Sequence, residues 1–111
     1  MKKIAVPVTA GKLALHFGHC EEFHFFEIED EQIKKAEAHT PPPHAPGVMP
    51  QWVSDNKATD VIAGGMGQRA IDIFNQKGVN VFVGAPSKEP QTIVEQFLAG
   101  ELVTQANLCD H

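Results

Sequence analysis

The hydrophobic positions at the beginning of the chain predict two strands. Residues 4–8 are apolar or small throughout, which is typical of a strand with both faces covered, and Pro7 predicts that this strand ends nearby. Residues 9–12 are polar or small and predict a turn, and residues 13–20 have no clear period and indicate a loop. Residues 23–28 are rich in aromatic residues and predict a second strand, with Phe26 and Ile28 on one face.

Residues 32–38 fit either a helix or a strand. Their side chains are good helix formers, so propensity alone favours a helix. The acidic turn at residues 29–31 is short, however, and a hairpin partner would cover the edge of the preceding strand. We therefore predict an edge strand, in which Lys34, Lys35 and Glu37 discourage further pairing.

A proline-rich loop separates this half of the chain from a helix. Residues 40–50 contain most of the 8 prolines and predict a semi-rigid segment. Pro50 suits the first turn of a helix that runs to about Lys57. Trp52 and Val53 are expected to face inward from it.

The second half alternates short apolar strands with amphipathic helices. Strands are predicted at residues 60–63 and 79–83. The helix between them is expected to end at Gly78, and the next helix is expected to begin at Ser87 and end at Gly100. Their apolar stripes are formed by Ala70, Ile71 and Phe74 in the first and by Ile93, Val94, Phe97 and Leu98 in the second.

This order of elements predicts one mixed α/β domain. Strand–helix–strand–helix indicates parallel strands with right-handed crossovers, whereas the first half predicts a hairpin. We expect a sheet of about five strands, parallel except for the second, with helices on both faces. The domain spans residues 1–103, and residues 104–111 form a polar C-terminal tail.

Composition and charge exclude several classes of function. With 111 residues, 42% hydrophobic and 21% charged, the chain has the composition of a single soluble domain. The formal net charge of -5 argues against binding to nucleic acid or to an anionic membrane surface. The absence of a long apolar run or a signal-like start predicts a cytoplasmic protein, and 2 distant cysteines indicate no disulfide framework.

Histidine and cysteine cluster in two segments that predict a metal site. His16, His19 and Cys20 follow the first strand, at the edge where open α/β sheets bind ligands. Imidazole and thiolate suit zinc, copper or iron–sulfur species, although Cys20 also fits a small packed core residue. Cys109 and His111 do not have a known zinc spacing, but they would supply a second thiolate and imidazole and are predicted as additional metal ligands.

A glycine-rich turn predicts an anion site beside the metal cluster. Gly64, Gly65 and Gly67 stand between a strand and a helix, where free N–H groups face an anion, and Arg69 follows. The spacing also matches a relaxed dinucleotide fingerprint, although no acidic residue ends the next strand. Glycines kept for close packing are the alternative. His44, just before a predicted helix, is a further candidate for binding the ligand.

Motifs of several enzyme classes are missing from the sequence. It contains no Gly-x-Ser-x-Gly elbow and no Walker-type phosphate loop. The first strand has no carboxylate, so the paired-carboxylate metal site of a ribonuclease H-type nuclease is absent. The sequence therefore predicts a binding protein that is not an enzyme.

The same residues resemble the dinitrogenase iron–molybdenum cofactor biosynthesis family. The resemblance is carried by residues 4–8, by His16-Phe17-Gly18, by the glycine turn and by Gly100-x-Leu102. It also includes His44-x-x-Gly47 with Pro50-x-Trp52, so it extends in order over nearly the whole chain. The family contains NifX-like carriers of nitrogenase assembly and small stand-alone members such as the orange protein, which holds a molybdenum–copper–sulfur cluster.

The resemblance implies a ribonuclease H-like fold and a role without catalysis. It implies binding of an iron–molybdenum or molybdenum–copper cluster near the loop after the first strand, with His16 as the suspected ligand. It also implies a cluster-assembly or acceptor metalloprotein as partner. The sequence leaves two alternatives to cluster binding open: a mononuclear zinc or copper site with a structural or sensing role, and a nucleotide-binding module. It is also compatible with a homodimer.

Overall fold

A central strand with neighbours on both sides organises the fold. The computed structural model describes residues 2–17, 20–42, 47–102 and 104. These form six strands and three helices. In chain order they are β1 (Lys2–Thr9), β2 (Lys12–Leu13), β3 (Glu22–Glu29), β4 (Gln32–His39), α1 (Val48–Asp55), β5 (Asp60–Ile62), α2 (Gln68–Gln76), β6 (Asn80–Phe82) and α3 (Pro90–Leu98).

The sheet is mixed, with the order β4-β3-β1-β5-β6. β1, β5 and β6 are parallel, whereas β3 is antiparallel to both β1 and β4. The second long strand is thus the antiparallel one, as predicted. The sheet has six strands where about five were expected, because β2 adds a two-residue antiparallel pair to the end of β1.

The ambiguous segment is a strand, as we predicted. β4 pairs with β3 along its whole length, with one irregularity beside Glu27 and Ile28. Asp30 and Glu31 connect the two strands with positive φ angles of 54° and 62°. Two consecutive residues in this conformation form the tight turn that matches the twist of a hairpin. Pairing with β3 therefore overrides the helix propensity of the segment.

Proline and serine at two element boundaries differ from the prediction. β1 continues past Pro7 to Thr9. The carbonyl oxygen of Pro7 accepts the N–H of Ala14 at 2.8 Å, so the backbone polar groups of Pro7 face away from β3. The missing N–H of Pro7 therefore costs no bond to β3. α3 begins at Pro90 rather than at Ser87, whose hydroxyl instead donates to the carbonyl oxygen of Leu13 at 2.9 Å.

The first helix has Pro50 in its first turn, as predicted. α1 starts at Val48, so Pro50 occupies its first turn, where no intrahelical acceptor exists for an N–H. Val53 is buried and Trp52 is half-buried against the same core, as expected. The helix ends at Asp55, two residues before the expected end at Lys57.

Helices cover both faces of the sheet, as expected. α1 and α2 pack on one face, where Val53, Ile71 and Phe74 join one buried cluster. α3 packs on the other face, where Ile93 and Val94 join a second cluster. In the described part of the chain, no helix is long and apolar enough to cross a membrane.

A buried carboxylate joins the strands at the end of the sheet where β5 begins. Asp60 accepts the hydroxyl of Thr59 at 2.7 Å and the side-chain amide of Asn80 at 3.0 Å. Thr59 in turn accepts the backbone N–H of Lys3 at 2.9 Å. These bonds connect β1, β5 and β6 at this end of the sheet. Because the three strands are parallel, their carboxyl ends lie together at the opposite end.

Candidate functional site

Two loops that carry predicted site residues meet at the carboxyl ends of the parallel strands. Residues 14–17 lie beyond β2 and next to the end of β1, and residues 64–67 follow β5. The N–H of Phe17 donates to the carbonyl oxygen of Gly65 at 2.9 Å. The structure therefore brings the described part of the predicted metal loop against the glycine turn.

A buried aromatic ring holds the first of these loops in place. The ring of Phe17 is buried and contacts Phe23 and Phe74 edge-on, with centroid distances of 5.4 and 5.5 Å. The preceding residue, His16, is exposed to solvent. Because the Phe17 ring is anchored in the core, the backbone beside the exposed His16 is held next to the glycine turn.

Leu15 is a feature of this loop that the sequence did not reveal. Leu13 and Ala14 are buried, whereas the side chain of Leu15 is 63% exposed. The three residues form an apolar run without periodicity, so nothing in the pattern distinguishes the exposed position from the buried ones.

Gly64 and Gly65 have a packing role. A Cβ atom at Gly64 would lie 3.1 Å from both the carbonyl oxygen of Ala14 and the Cα of Leu15. A Cβ at Gly65 would lie 3.0 Å from the carbonyl oxygen of Leu15. Both distances are too short for ordinary contacts with backbone atoms, so these two glycines allow the loops to approach each other.

Gly67 differs from the other two glycines of the turn. A Cβ there would meet no described atom within 4 Å, and its φ of -69° and ψ of 155° suit any residue. Of the three glycines predicted to admit an anion, Gly67 has free space around it. The dinucleotide interpretation is weakened accordingly, because Gly65 of that spacing faces the backbone of Leu15.

The amino-terminal end of α2 begins at this free position. Gly67 is its N-cap, no described side chain caps it, and its first turn has no acidic residue. The first-turn N–H groups and the positive end of the helix dipole thus face the edge without a competing carboxylate. Arg69 is exposed in the same turn and adds a cationic group.

Cys20 lies half-buried at the start of the segment that leads into β3. It packs against the core cluster that α1 and α2 form. Burial raises the pKa of its thiol from 9.0 to about 11, although backbone hydrogen bonds at Cys20 and Val8 partly oppose this shift. Since the thiolate is the metal-binding form, a metal at Cys20 would have to displace a proton that burial holds more firmly than usual.

We expect this raised pKa to slow alkylation of Cys20. In a Cys109→Ser background at pH 8, iodoacetamide should label the folded protein about 100-fold more slowly than the urea-unfolded chain, because two pKa units lower the thiolate fraction by that factor. Mass spectrometry of timed samples measures both rates. Equal labelling rates in the two states would contradict the shift.

The raised pKa of Cys20 also predicts that the free energy of unfolding falls as the pH rises from about 9 towards about 11.

Several predicted ligands cannot be placed by this geometry. His19, His44, Cys109 and His111 lie outside the described residues. Within residues 2–17, 20–42, 47–102 and 104, no group of three His, Cys, Asp or Glu side chains is arranged to hold a metal ion. The metal ligands His16, His19, Cys20, Cys109 and His111 therefore remain predictions, and so do the cofactor contacts Gly64, Gly65, Gly67, Arg69 and His44.

Comparison with known proteins gives consistent matches along the chain. The family model for the dinitrogenase iron-molybdenum cofactor matches residues 1–100. The protein MJ0580 of Methanocaldococcus jannaschii is 30% identical over 107 residues, which cover 92% of this chain and 90% of that protein.

Solved structures extend the comparison to the fold. The crystal structure of PH0822 superimposes with a TM-score of 0.86 at 28% identity and covers 98% of this chain and 99% of its own. The apo form of the orange protein from Desulfovibrio gigas superimposes with a TM-score of 0.79 and covers 96% of this chain and 95% of its own. At 20% identity, the second likeness shows the fold alone.

Proposed function

Because the chain belongs to the dinitrogenase iron-molybdenum cofactor family, we propose that it binds and carries a metal–sulfur cluster without catalysing a reaction. The cluster would bind at the edge where residues 14–17 meet residues 64–67. The hydrogen bond from Phe17 to Gly65 carries this proposal, since it joins the two loops whose chemistry is complementary.

The described residues of this edge fit a bulky anion that contains a soft metal. A thiometallate presents negatively charged sulfides, which the first-turn N–H groups of α2 and the Arg69 guanidinium attract. The imidazole of His16 is a suitable ligand for copper or iron. Gly67 leaves the space that sulfides need to approach the helix.

Carriage also requires a source and a recipient for the cluster. We propose an acceptor or cluster-assembly metalloprotein as the partner, in the cytoplasm. The edge suits transfer because His16 is exposed and the helix end is free of side-chain caps among the described residues. A partner can thus reach the cluster without unfolding the carrier.

The test is anaerobic titration of the purified protein with tetrathiomolybdate and Cu(I). We expect visible sulfur-to-metal charge-transfer bands and co-elution of molybdenum, copper and sulfide with the protein in gel filtration. His16→Ala should weaken binding about tenfold or more, because one metal–ligand bond is lost. His39→Ala is the matched control, since it removes another exposed imidazole and should bind as the wild type does.

Three results would contradict the proposal. Wild-type protein that retains neither metal nor sulfide excludes cluster carriage under these conditions. Colourless protein with stoichiometric zinc or copper supports a mononuclear site instead. Equal binding by His16→Ala and wild type removes His16 from the site.

The tail provides a separate prediction about the ligand set. We propose that Cys109 and His111 add a thiolate and an imidazole to the metal ligands, because burial makes the proton of the Cys20 thiol harder for a metal to displace. Removing residues 108–111 should weaken tetrathiomolybdate–copper binding at least about tenfold. The same titration measures this change, and a truncated protein that binds as tightly as the full chain excludes the tail.

A further inference from the structure

β4 forms one outer edge of the sheet and is much longer than the strand at the other edge. It has eight residues, whereas β6 has three. β3 is the strand that pairs with it, and no other described strand reaches its outer side. A long edge strand presents unpaired N–H and C=O groups, so it is a natural site for another strand to add.

Two side chains of opposite charge, Lys35 and Glu37, lie next to each other on one face of β4. The Nζ of Lys35 is 3.6 Å from the Oε2 of Glu37, and these side chains are 57% and 38% exposed. Ala36 lies between them and points to the opposite face, where it is also exposed. One cation, one small residue and one anion therefore follow each other along the edge.

We propose that β4 pairs antiparallel with β4 of a second copy, about a two-fold axis through Ala36. In this register Lys35 lies opposite Glu37 of the second copy, and Glu37 lies opposite its Lys35. Ala36 faces its own equivalent, so no bulky side chain stands on the axis. Cross-strand pairs of opposite charge stabilise such a pairing.

Symmetry excludes most other registers. Residues opposite each other in an antiparallel pair have side chains on the same face of the sheet. An axis between two residues would set neighbouring residues, whose side chains are on different faces, opposite each other, so the axis must pass through a residue. An axis at Lys34, Lys35 or Glu37 would place like charges opposite each other. The bulge at Lys34 leaves residues 35–39 as the regular part of β4, and an axis at Ala38 would set Glu37 opposite His39 and leave Lys35 beyond the paired residues.

This arrangement makes the edge selective for its own copy. Charged residues on an edge oppose pairing with most strands, because the charges lose solvent without finding partners. Two antiparallel copies of β4 supply those partners to each other. The interface is small, so we expect a reversible dimer that dissociates on dilution. The proposal does not depend on cluster binding.

Charge exchange tests the register directly. Sedimentation velocity over a concentration series should show a monomer–dimer equilibrium for the wild type. Lys35→Glu alone, or Glu37→Lys alone, places two like-charge pairs across the axis and should raise the dimer Kd about tenfold. An equimolar mixture of the two variants should recover dimerisation, because each Glu then faces a Lys.

Matched controls separate this effect from net charge. Lys88→Glu and Glu101→Lys make the same charge changes at exposed positions outside the strands and should dimerise as the wild type does. Circular dichroism checks that each variant is folded. The proposal is overturned by a wild type that is monomeric at all concentrations, by a dimer that both β4 variants retain, or by a mixture that fails to recover.

Discussion

Gly64→Val should destabilise the protein by about 1–3 kcal/mol, which is in the range of an overpacked core. A Cβ at this position would lie 3.1–3.2 Å from three backbone atoms of residues 14 and 15. Backbone atoms cannot rotate away as a side-chain end can, so the loop must move and lose its hydrogen bond from Phe17 to Gly65. Urea unfolding followed by circular dichroism measures the free energy of unfolding.

The control for this prediction is Gly67→Val, the same substitution three residues later. Its Cβ meets no described atom within 4 Å and its φ is -69°, so we expect a change of less than about 1 kcal/mol. A change in Gly64→Val as small as the one expected for Gly67→Val would mean that the loop gives way without cost. The comparison also shows why Gly65→Val is a poor test of ligand contact, since its Cβ presses on Leu15 before any ligand binds.

Gly67→Asp should stabilise the protein and weaken cluster binding at the same time. A carboxylate at the N-cap accepts hydrogen bonds from the first-turn N–H groups of α2 and is attracted by the positive end of the helix dipole. Replacing glycine also lowers the conformational entropy of the unfolded chain. Together these effects should add about 0.5–1 kcal/mol to the free energy of unfolding. The same carboxylate occupies the donors that we assign to sulfides and repels the anion. We therefore expect at least about a tenfold loss of tetrathiomolybdate–copper affinity.

Gly67→Asn separates charge from capping. Its amide oxygen caps the helix with nearly the same shape but without the negative charge. Its affinity for tetrathiomolybdate–copper should therefore lie between those of the wild type and Gly67→Asp. If Gly67→Asp is more stable and still binds as the wild type does, the start of α2 is not the anion site.

The core stripes of α2 and α3 were predictable because burial follows the helical period. Ile71, Phe74, Ile93 and Val94 were identified from spacing and are buried, and the other predicted members, Ala70, Phe97 and Leu98, are half-buried against the same clusters. The strands at residues 60–63 and 79–83 were predictable for a similar reason, since apolar runs of this length between helices are too short for a helix and fit a buried strand. Helix boundaries were less accurate, because Ser87 bonds to Leu13 rather than capping α3.

The candidate site was predictable as a set of residue types and not as a geometry. Sequence identified His16, Cys20 and three glycines, which it assigned to the ligand with close packing as the alternative. Two of them face the backbone of residues 14 and 15, which lie about fifty positions away in the chain, and ligand contact at all three stays a prediction. Local sequence carries no information about such a contact. The pKa of Cys20 has the same origin, since burial and not neighbouring residue type raises it.

The amino-acid sequence by itself determined the family, the alternation of strands and helices, and the residues available for a metal, because these depend on residue type and local period. The tertiary structure decided what depends on distant partners. β4 is a strand because β3 pairs with it, Pro7 stays within β1 because its backbone faces away from β3, and Asp60 is buried because Thr59 and Asn80 bond to it. Each of these outcomes replaces a local preference with hydrogen bonds that form only when the chain is folded.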